Sequence, residues 1–419
     1  MDEAFNQLIK SNEKNAISIF NSNRSEYLSL ILSQLTKDEI KLAKRILLDL
    51  EQKAFKELPD EIFIRIFSYV TDPKSLKACL LVSKRWYRIL MWENSIWRNI
   101  CMIRGLKSVL HQNESLRWST VYKYFTIANA NWKRGHCEVR SMTHPDDVGF
   151  CISFNEELAI SLSLNSNQEQ GKLWNIKTGE CQTRLRGHQG SISAVKFNQD
   201  FIATGSNDAT IKIWSMQGVC LKTFRGHRDE VTCLDFHEQV LVSGSEDRTL
   251  RRWNIETGES QELIGHTGAI CCIYLLDEWV VSGSTDTTLR VWKNLECAAT
   301  LKGHTMSIHC VQFNSKIICS GSQDTTIKLW SRDTYQCVKT LNGHSAGVIC
   351  LQFDHEKIVS GSADHSIKVW DYQGHCLYTL KHHSSPIWRL QFSDSWLMSS
   401  SFDHSLLLWD FTHELYPRE

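Results

Sequence analysis

Trp174, Trp214, Trp253, Trp292, Trp330, Trp370 and Trp409 stand 38 to 40 residues apart. A period of that length means one supersecondary unit repeated seven times, each too small to bury its apolar face without its neighbours. Residues that recur in every unit therefore serve the fold. Function is to be sought in the residues that break the recurrence.

One period shows why the unit is built of strands. It begins at Gly226 and His227, runs through the apolar stretches 231–236 and 240–245, and closes from Asp247 to Trp253. The apolar runs are short, rich in β-branched residues and separated by Gly, Ser and Asp, a pattern of strands and tight turns. Four strands fit each period: one after the Gly-His, one before the Ser-Gly-Ser, one ending at the tryptophan, and one leading to the next Gly-His.

Six units share four residues at nearly fixed offsets: His188/Thr204/Asp208/Trp214, His227/Ser243/Asp247/Trp253, His266/Ser282/Asp286/Trp292, His304/Ser320/Asp324/Trp330, His344/Ser360/Asp364/Trp370 and His383/Ser399/Asp403/Trp409. Histidine, hydroxyl and carboxylate invite comparison with a hydrolytic triad, which needs one exposed nucleophile and an oxyanion hole. Six copies of one set cannot all be active sites. The expected arrangement is a buried network in which histidine donates to both the carboxylate and the hydroxyl, covered by the tryptophan. The chain also lacks a Gly-rich phosphate loop and a metal-ligand set, so no catalytic residue, metal or cofactor is expected.

These residues resemble the Gly-His to Trp-Asp signature of WD40 repeats. The resemblance covers residues 140–411, although only Trp370-Asp371 and Trp409-Asp410 carry the literal dipeptide. In the first unit Trp174 remains, while residues 163–170 replace the Ser-Asp turn. The resemblance implies a closed seven-bladed β-propeller over residues 131–412. Ten residues follow Trp409, too few for a fourth strand in the last blade. Residues 131–143 are expected to supply that strand and remove an exposed edge.

Before residue 130 glycine becomes rare and apolar residues take helical spacing. Leu28, Ile31, Leu32 and Leu35 make one amphipathic face, and Ile40, Ala43, Leu47 and Leu50 a second. Residues 1–23, rich in Asn and Ser, show no periodicity and are expected to be disordered. Pro59 suits a first helical turn, Asp72 and Pro73 open a second helix, and Ser83 precedes a third through Ile89 and Leu90. So small a helical core should need a partner on one side.

Leu58, Pro59, Glu61, Ile62, Ile66, Tyr69, Leu76, Cys79, Val82, Ser83, Lys84, Trp86 and Trp97 together resemble an F-box over residues 53–100. That resemblance implies docking on the Skp-type adaptor of an SCF ubiquitin ligase, and through it a cullin. Leu58, Pro59, Ile62, Ile66, Leu76, Val82 and Trp86 are the implied contacts, with filling of the F-box core as the other reading for part of them. Residues 24–52 are similar to the dimerisation helices that precede the F-box in some F-box/WD proteins, which implies a homodimer; the alternative is a helix pair packed on the chain's own F-box. Residues 101–130, with Trp118, Tyr122 and Tyr124, resemble the helical stalk between F-box and propeller. The expected fold class is thus a multidomain α plus all-β chain, a helical F-box region followed by a seven-bladed WD40 β-propeller.

Basic and acidic residues balance at 47 each, and no local basic patch stands out, so neither nucleic acid nor a membrane surface is an expected partner. The first residues lack a secretory signal, and no apolar run approaches the 18 or so residues of a membrane helix. A cytoplasmic or nuclear protein with reduced thiols is expected. Nine of the 15 cysteines follow the repeat, in one phase Cys181, Cys220, Cys297, Cys337 and Cys376, in another Cys233, Cys272, Cys310 and Cys350. Without any CxxC pair they read as small buried hydrophobes.

Since the His and Asp of each unit must meet, the turns that carry them share one face of the disc. Glu246, Arg248, Thr285, Gln323, His365, Phe402 and His404 flank the Asp; Arg228 and Asp229 follow a Gly-His; His309 and Trp388 start strands. Arginine with aromatics is the composition of a peptide-binding patch. Arg228, Arg248, His309, Gln323, Trp388 and Phe402 are the candidate target-binding residues.

The best-known relatives grip a phosphorylated degron with several arginines on this face. Arg248 stands at such a position, but Cys271 and Thr285 occupy its neighbours, and Glu246 and Asp229 are acidic. Phosphate recognition and a mixed aromatic, hydrogen-bonding site around Phe402, Trp388 and His309 are both open. The resemblance implies a non-catalytic substrate receptor that holds a target protein for ubiquitination and proteasomal degradation. The rival reading is a non-degradative scaffold whose F-box-like helices serve packing alone.

Overall fold

The computed structural model describes residues 60–68, 79, 83–103, 118–141, 149–154, 158–163, 171–175, 178 and 180–412. Two compact units divide the chain, residues 1–126 and 127–419.

In the first unit, α1 (Asp60–Ser68), α2 (Lys84–Trp92) and α3 (Asn94–Ile103) enclose Phe63, Phe67, Trp86, Ile89, Leu90, Ile96, Trp97 and Cys101. Ser83 caps α2 by accepting the Trp86 backbone N–H at 3.1 Å, and Arg85 reaches Asp60 of α1 at 2.6 Å. The implied adaptor contact Trp86 is instead a core residue, 7% exposed, edge-on to Phe67 at 5.0 Å and tilted against Phe63 at 5.7 Å. Burying so large a ring among other rings contributes more to a three-helix core than leaving it in water. The indole that α2 does turn to solvent is Trp92, 66% exposed. Ile62 and Ile66 fall within α1. Leu58, Pro59, Leu76 and Val82 lie outside the described residues, as do all of segments 1–23 and 24–52.

The second unit holds seven antiparallel four-stranded sheets, the blades. Blade 1 starts at Gly149, and the inner strands of blades 2 to 7 are Ile192–Phe197, Val231–His237, Ile270–Leu276, Ile308–Phe313, Val348–Phe353 and Ile387–Phe392. Each blade from 1 to 6 runs inner to outer in chain order. Blade 7 has only three consecutive strands, and its outer strand is Glu138–Ser141, paired with Leu406–Asp410 in the register Val139 to Trp409. The ring is closed by chain from before its own first blade.

A helix fixes that closing strand. The end of α4 (Trp118–Arg134) lays Trp132 on Phe411, ring centroids 3.8 Å apart, and Asn131 Nδ2 donates to the Phe411 carbonyl at 2.7 Å. The Lys357 ammonium lies over the Trp132 ring at 4.6 Å and is neutralised by Asp354 at 2.7 Å.

Blades are joined through their inner strands. The hydroxyls of Ser193 and Thr232 donate to the carbonyls of Val231 and Ile270 in the next blade, at 2.6 and 2.5 Å. The glycine of each Ser-Gly-Ser follows from the same closeness. A Cβ on Gly244 would come within 2.5 Å of Ile270, and one on Gly321 within 2.6 Å of Val348.

The cysteines divide by phase. Cys233, Cys272, Cys310 and Cys350 are buried on inner strands, as expected. Cys220, Cys297, Cys337 and Cys376 are exposed, which overturns the reading of their phase as buried hydrophobes. They sit on outer strands opposite the repeat tryptophan, at a register shift such as Trp292 to Cys297, where the blade's last strand faces water.

Candidate functional site: the channel-mouth face of the propeller

The six His-Asp sets pin the turns of one face. Nδ1 of each histidine meets its Asp at 2.7–3.1 Å, Nε2 meets the hydroxyl at 2.7–2.8 Å, and the tryptophan Nε1 donates to that hydroxyl at 2.8–2.9 Å. Burial lowers the pKa of His188, His227, His266, His304 and His383, and outweighs the pull of the neighbouring carboxylate. A neutral ring has one proton. Placed on Nδ1 it is donated to Asp, so Nε2 accepts from the hydroxyl. For these five histidines, this corrects the expectation that histidine donates to both.

The carboxylates sit in a different balance. Burial pushes Asp208, Asp247, Asp286, Asp324 and Asp403 up, but hydrogen bonds from a Thr or Ser hydroxyl, from backbone N–H groups and from the histidine bring each down to about 2. In blade 1 Trp174 donates to Ser161 at 2.8 Å, and no His or Asp is among its described residues. All these groups are consumed by the fold.

What remains on the face falls into three groups. On blade 3, Arg228 and Arg248 are exposed beside Asp229, Glu230 and Glu246. The Glu230 carboxyl is raised by burial and by Glu246, so the acids lie close enough to repel. On blade 5, His309 shares a hydrogen bond with Gln323, although burial lowers its pKa overall. On blade 7, Trp388 meets Phe402 edge to face at 4.8 Å, and the Trp388 Nε1 is buried without a hydrogen-bond partner. The six sequence candidates are thus brought together in pairs, one pair to a blade.

The strand register adds a residue that the sequence reading passed over. Below the channel mouth, Ala194, Cys233, Cys272, Cys310, Cys350 and Arg389 occupy one position, each opposite the glycine of Ser-Gly-Ser or, in blade 7, Ser400. Arg389 is the sole charge among them. Its positive charge pulls down the thiols of Cys233, Cys272, Cys310 and Cys350, each of which burial raises by more. The signal was in the sequence, because Arg389 follows Cys350 by one period; cysteine phasing drew attention to the four matches rather than to the exception.

Among the described residues, no group of three or more His, Cys, Asp or Glu is placed to hold a metal ion. The fold is a seven-bladed propeller whose non-repeating residues gather at the channel mouth.

Comparison with known proteins gives the family. The model of the WD domain, G-beta repeat, matches residues 179–215, 218–254, 258–293, 295–331, 335–371 and 374–410, and the F-box-like model matches residues 55–103. The chain belongs to the WD40-repeat family and carries an F-box-like segment ahead of the repeats. It is 26% identical over 151 residues to F-box/WD repeat-containing protein 2 of Mus musculus, a match covering 36% of this chain and 34% of that protein. It is 27% identical over 189 residues to Cell division control protein 4 of Saccharomyces cerevisiae, covering 40% and 24%. The chain thus spans about a third or less of the length of these relatives. Among solved structures it resembles the computationally designed Ika8 protein, with TM-score 0.55 and 34% identity over 62% of this chain and 82% of that one. The WD40 β-propeller domain of Doa1 shares the fold, with TM-score 0.59 and 20% identity over 66% and 97%.

Proposed function

We propose that this chain is the substrate-recognition subunit of an SCF-type ubiquitin ligase. The F-box-like segment recruits a Skp-type adaptor and through it a cullin, and the channel-mouth face holds a target protein. The observation that carries this reading is the pairing, in one chain, of an F-box-like segment with a propeller whose non-repeating residues gather on one face. Trp388, Phe402, His309 and Gln323 supply the aromatic and hydrogen-bonding groups that anchor a peptide. The acids beside Arg228 and Arg248 disfavour a multiply charged phosphate there. No group of the chain performs the transfer. Its contribution is positional, raising the effective concentration of a target lysine near the ubiquitin-carrying enzyme.

The test is co-purification of the full chain with a Skp-type adaptor, wild type against Leu58→Ala/Pro59→Ala. Capture by wild type and loss in the variant is expected. A folded wild-type chain that retains no adaptor would leave the scaffold reading in its place.

A further inference from the structure

The turn after the repeat tryptophan is shortest in blade 4. There Trp292 pairs with Cys297, whereas Trp214 pairs with Cys220, Trp370 with Cys376, Trp253 with Ser260 and Trp330 with Cys337. The chain reverses through Asn294 and Leu295 alone, both left-handed, with φ of 49° and 72°. In blades 2, 3, 5, 6 and 7 the second residue past the tryptophan is Met216, Ile255, Arg332, Tyr372 or Phe411. Each of these fills the groove towards the blade before it. Met216 joins a core with Ile160 of blade 1, Ile255 with Phe224 of blade 2, Tyr372 with Cys319 of blade 5 and Phe411 with Val359 of blade 6. Arg332 lies over Trp279 of blade 4 at 4.7 Å.

Blade 4 has the exposed Asn294 at that place, and the groove it shares with blade 3 is a cavity of about 320 Å³. Its floor is Val242 and Leu263 of blade 3 with Leu275, Val280 and Trp292 of blade 4, and Leu295 packs against that floor. The rim holds Arg252 on one side and Asp277 and Glu278 on the other, all exposed and none in an ion pair among the described residues. In blades 3, 5 and 7 the groove-filling residue also donates its N–H to a carbonyl of the turn between the two inner strands. Ile255 donates to Gln239 at 2.9 Å, and Arg332 to Lys316 and Phe411 to Ser395 at 3.0 Å. Glu278 holds that place in blade 4, and Asn294 makes no such bond to it, so the carbonyl is left for another donor.

We propose that this groove is a docking site for a peptide of another protein that carries one large aliphatic or aromatic side chain beside a lysine or arginine. The site is separate from the channel mouth and stands whether or not the receptor reading does. Its occupant is defined by what the chain itself puts in the equivalent grooves. Isoleucine, tyrosine and phenylalanine fill three of them, so the side chain that completes this one is of that kind, and its burial on an apolar floor supplies the affinity. A cavity of this volume is at the lower end of the range for ligand sites and holds one such side chain with the backbone beside it. The anchor's N–H takes the Glu278 carbonyl, as that of Ile255 takes Gln239. Asp277 and Glu278 outnumber Arg252, so the rim favours a cation next to the anchor.

The experiment depletes a random 12-residue peptide library on phage against the immobilised Gln261→Trp chain, then selects it on the wild-type full chain. Gln261 lines the groove and is exposed, so tryptophan there covers the opening and leaves the fold intact. Enriched peptides are expected to share a large apolar residue next to Lys or Arg, and to bind the variant at least tenfold more weakly. Alanine at the apolar position should weaken binding at least tenfold. Glutamine at the basic position should weaken it about threefold, as should Asp277→Asn/Glu278→Gln on the chain, and these two changes together should cost no more than either alone. Melting curves show whether the variants fold; where Gln261→Trp does not, selection on wild type followed by the Asp277→Asn/Glu278→Gln comparison decides. Enrichment of nothing by the folded chain, peptides that bind Gln261→Trp as tightly, or an apolar position that tolerates alanine would each overturn the site. So would a consensus that matches a segment of this chain, or a dimer that Gln261→Trp dissolves, since the occupant would then be the chain itself or a second copy. Adaptor capture is read separately and is unaffected by any of these results.

Discussion

Blades 1 and 7 meet where the ring closes, and each lacks what the other has. Blade 1 is continuous in sequence, with strands from Gly149 to Leu185, and among its described residues the set is the Trp174 to Ser161 bond alone. Blade 7 is split between Glu138–Ser141 and residues 387–410, yet carries the full set His383, Ser399, Asp403 and Trp409. Its tryptophan is 2% exposed, while Trp174 is only partly buried. The contrast separates two tasks. Strand pairing and a Trp-hydroxyl bond hold the described residues of blade 1. The His-Asp pair fixes the turns of the channel-mouth face, which is where Phe402 sits, next to Asp403.

The largest expected effect tests the borrowed strand. Removing residues 130–143 takes away the outer strand of blade 7 together with Asn131 and Trp132, and exposes the edge at Leu406–Asp410. Loss of the folded propeller is expected, read by circular dichroism and size exclusion; a soluble, cooperatively melting product with unchanged Tm would refute closure as a requirement. Next, Asp403→Ala should cost about 3–4 kcal/mol, since it leaves three donors, His383, the Ser405 hydroxyl and the Ser384 N–H, without their acceptor. Denaturant titration measures this, and a cost under about 1 kcal/mol would make the set dispensable in blade 7.

Ser399→Ala should cost about 2–3 kcal/mol, because it orphans both His383 and Trp409, whereas Ser161→Ala orphans Trp174 alone and should cost about 1 kcal/mol. Equal costs in the two blades would erase the distinction. The comparison also predicts a pH response. Five set histidines have pKa values lowered from 6.5 by burial, so the unfolded chain binds protons that the folded one refuses. Their stabilisation is complete above pH 6.5 and is lost as pH falls below it, by at most about 1.4 kcal/mol per histidine per pH unit. The aspartates, held at about 2, add a second loss between about pH 4 and 2. No His or Asp is among the described residues of blade 1. A Tm flat from pH 7 to 5 would show the rings charged in the folded state.

The smallest effect concerns the turn after each Asp. Ala209, Arg248, Thr287, Thr325, His365 and His404 all take φ of 61–70°. A β-branched residue is strained there, so Thr287→Gly should stabilise by about 0.5–1 kcal/mol despite the extra chain entropy of glycine. A lower Tm would mean that the threonine side chain outweighs the backbone strain.

Much of this was legible in the residues. The tryptophan period gave the strand count, the His-Asp offsets gave the common face, and the position of Trp132 ahead of the first blade pointed to the borrowed strand. Burial was less legible. Trp86 reads as a contact or a core residue equally well, because a helical pattern says which face is apolar but not what covers it. Cys220 and Cys297 share the composition and spacing of buried positions, yet their strand has neighbours on one edge only. The family repeat also straddles the blades: residues 374–410 include the outer strand of blade 6 and three strands of blade 7. A repeat in sequence need not be a unit in space when the ring closes one strand out of phase.

Sequence alone determined the blade count, the strand order within each repeat and the hydrogen-bonding sets, because these depend on local periodicity and on residues at fixed short offsets. Tertiary structure decided which exceptions matter. Only the closed ring sets Arg389 at the register position that buried cysteines hold in four other blades, pairs Trp388 with Phe402, and sets Glu230 against Glu246. Those encounters join residues far apart in the chain or across a turn, and their energies depend on burial and distance that no linear pattern encodes.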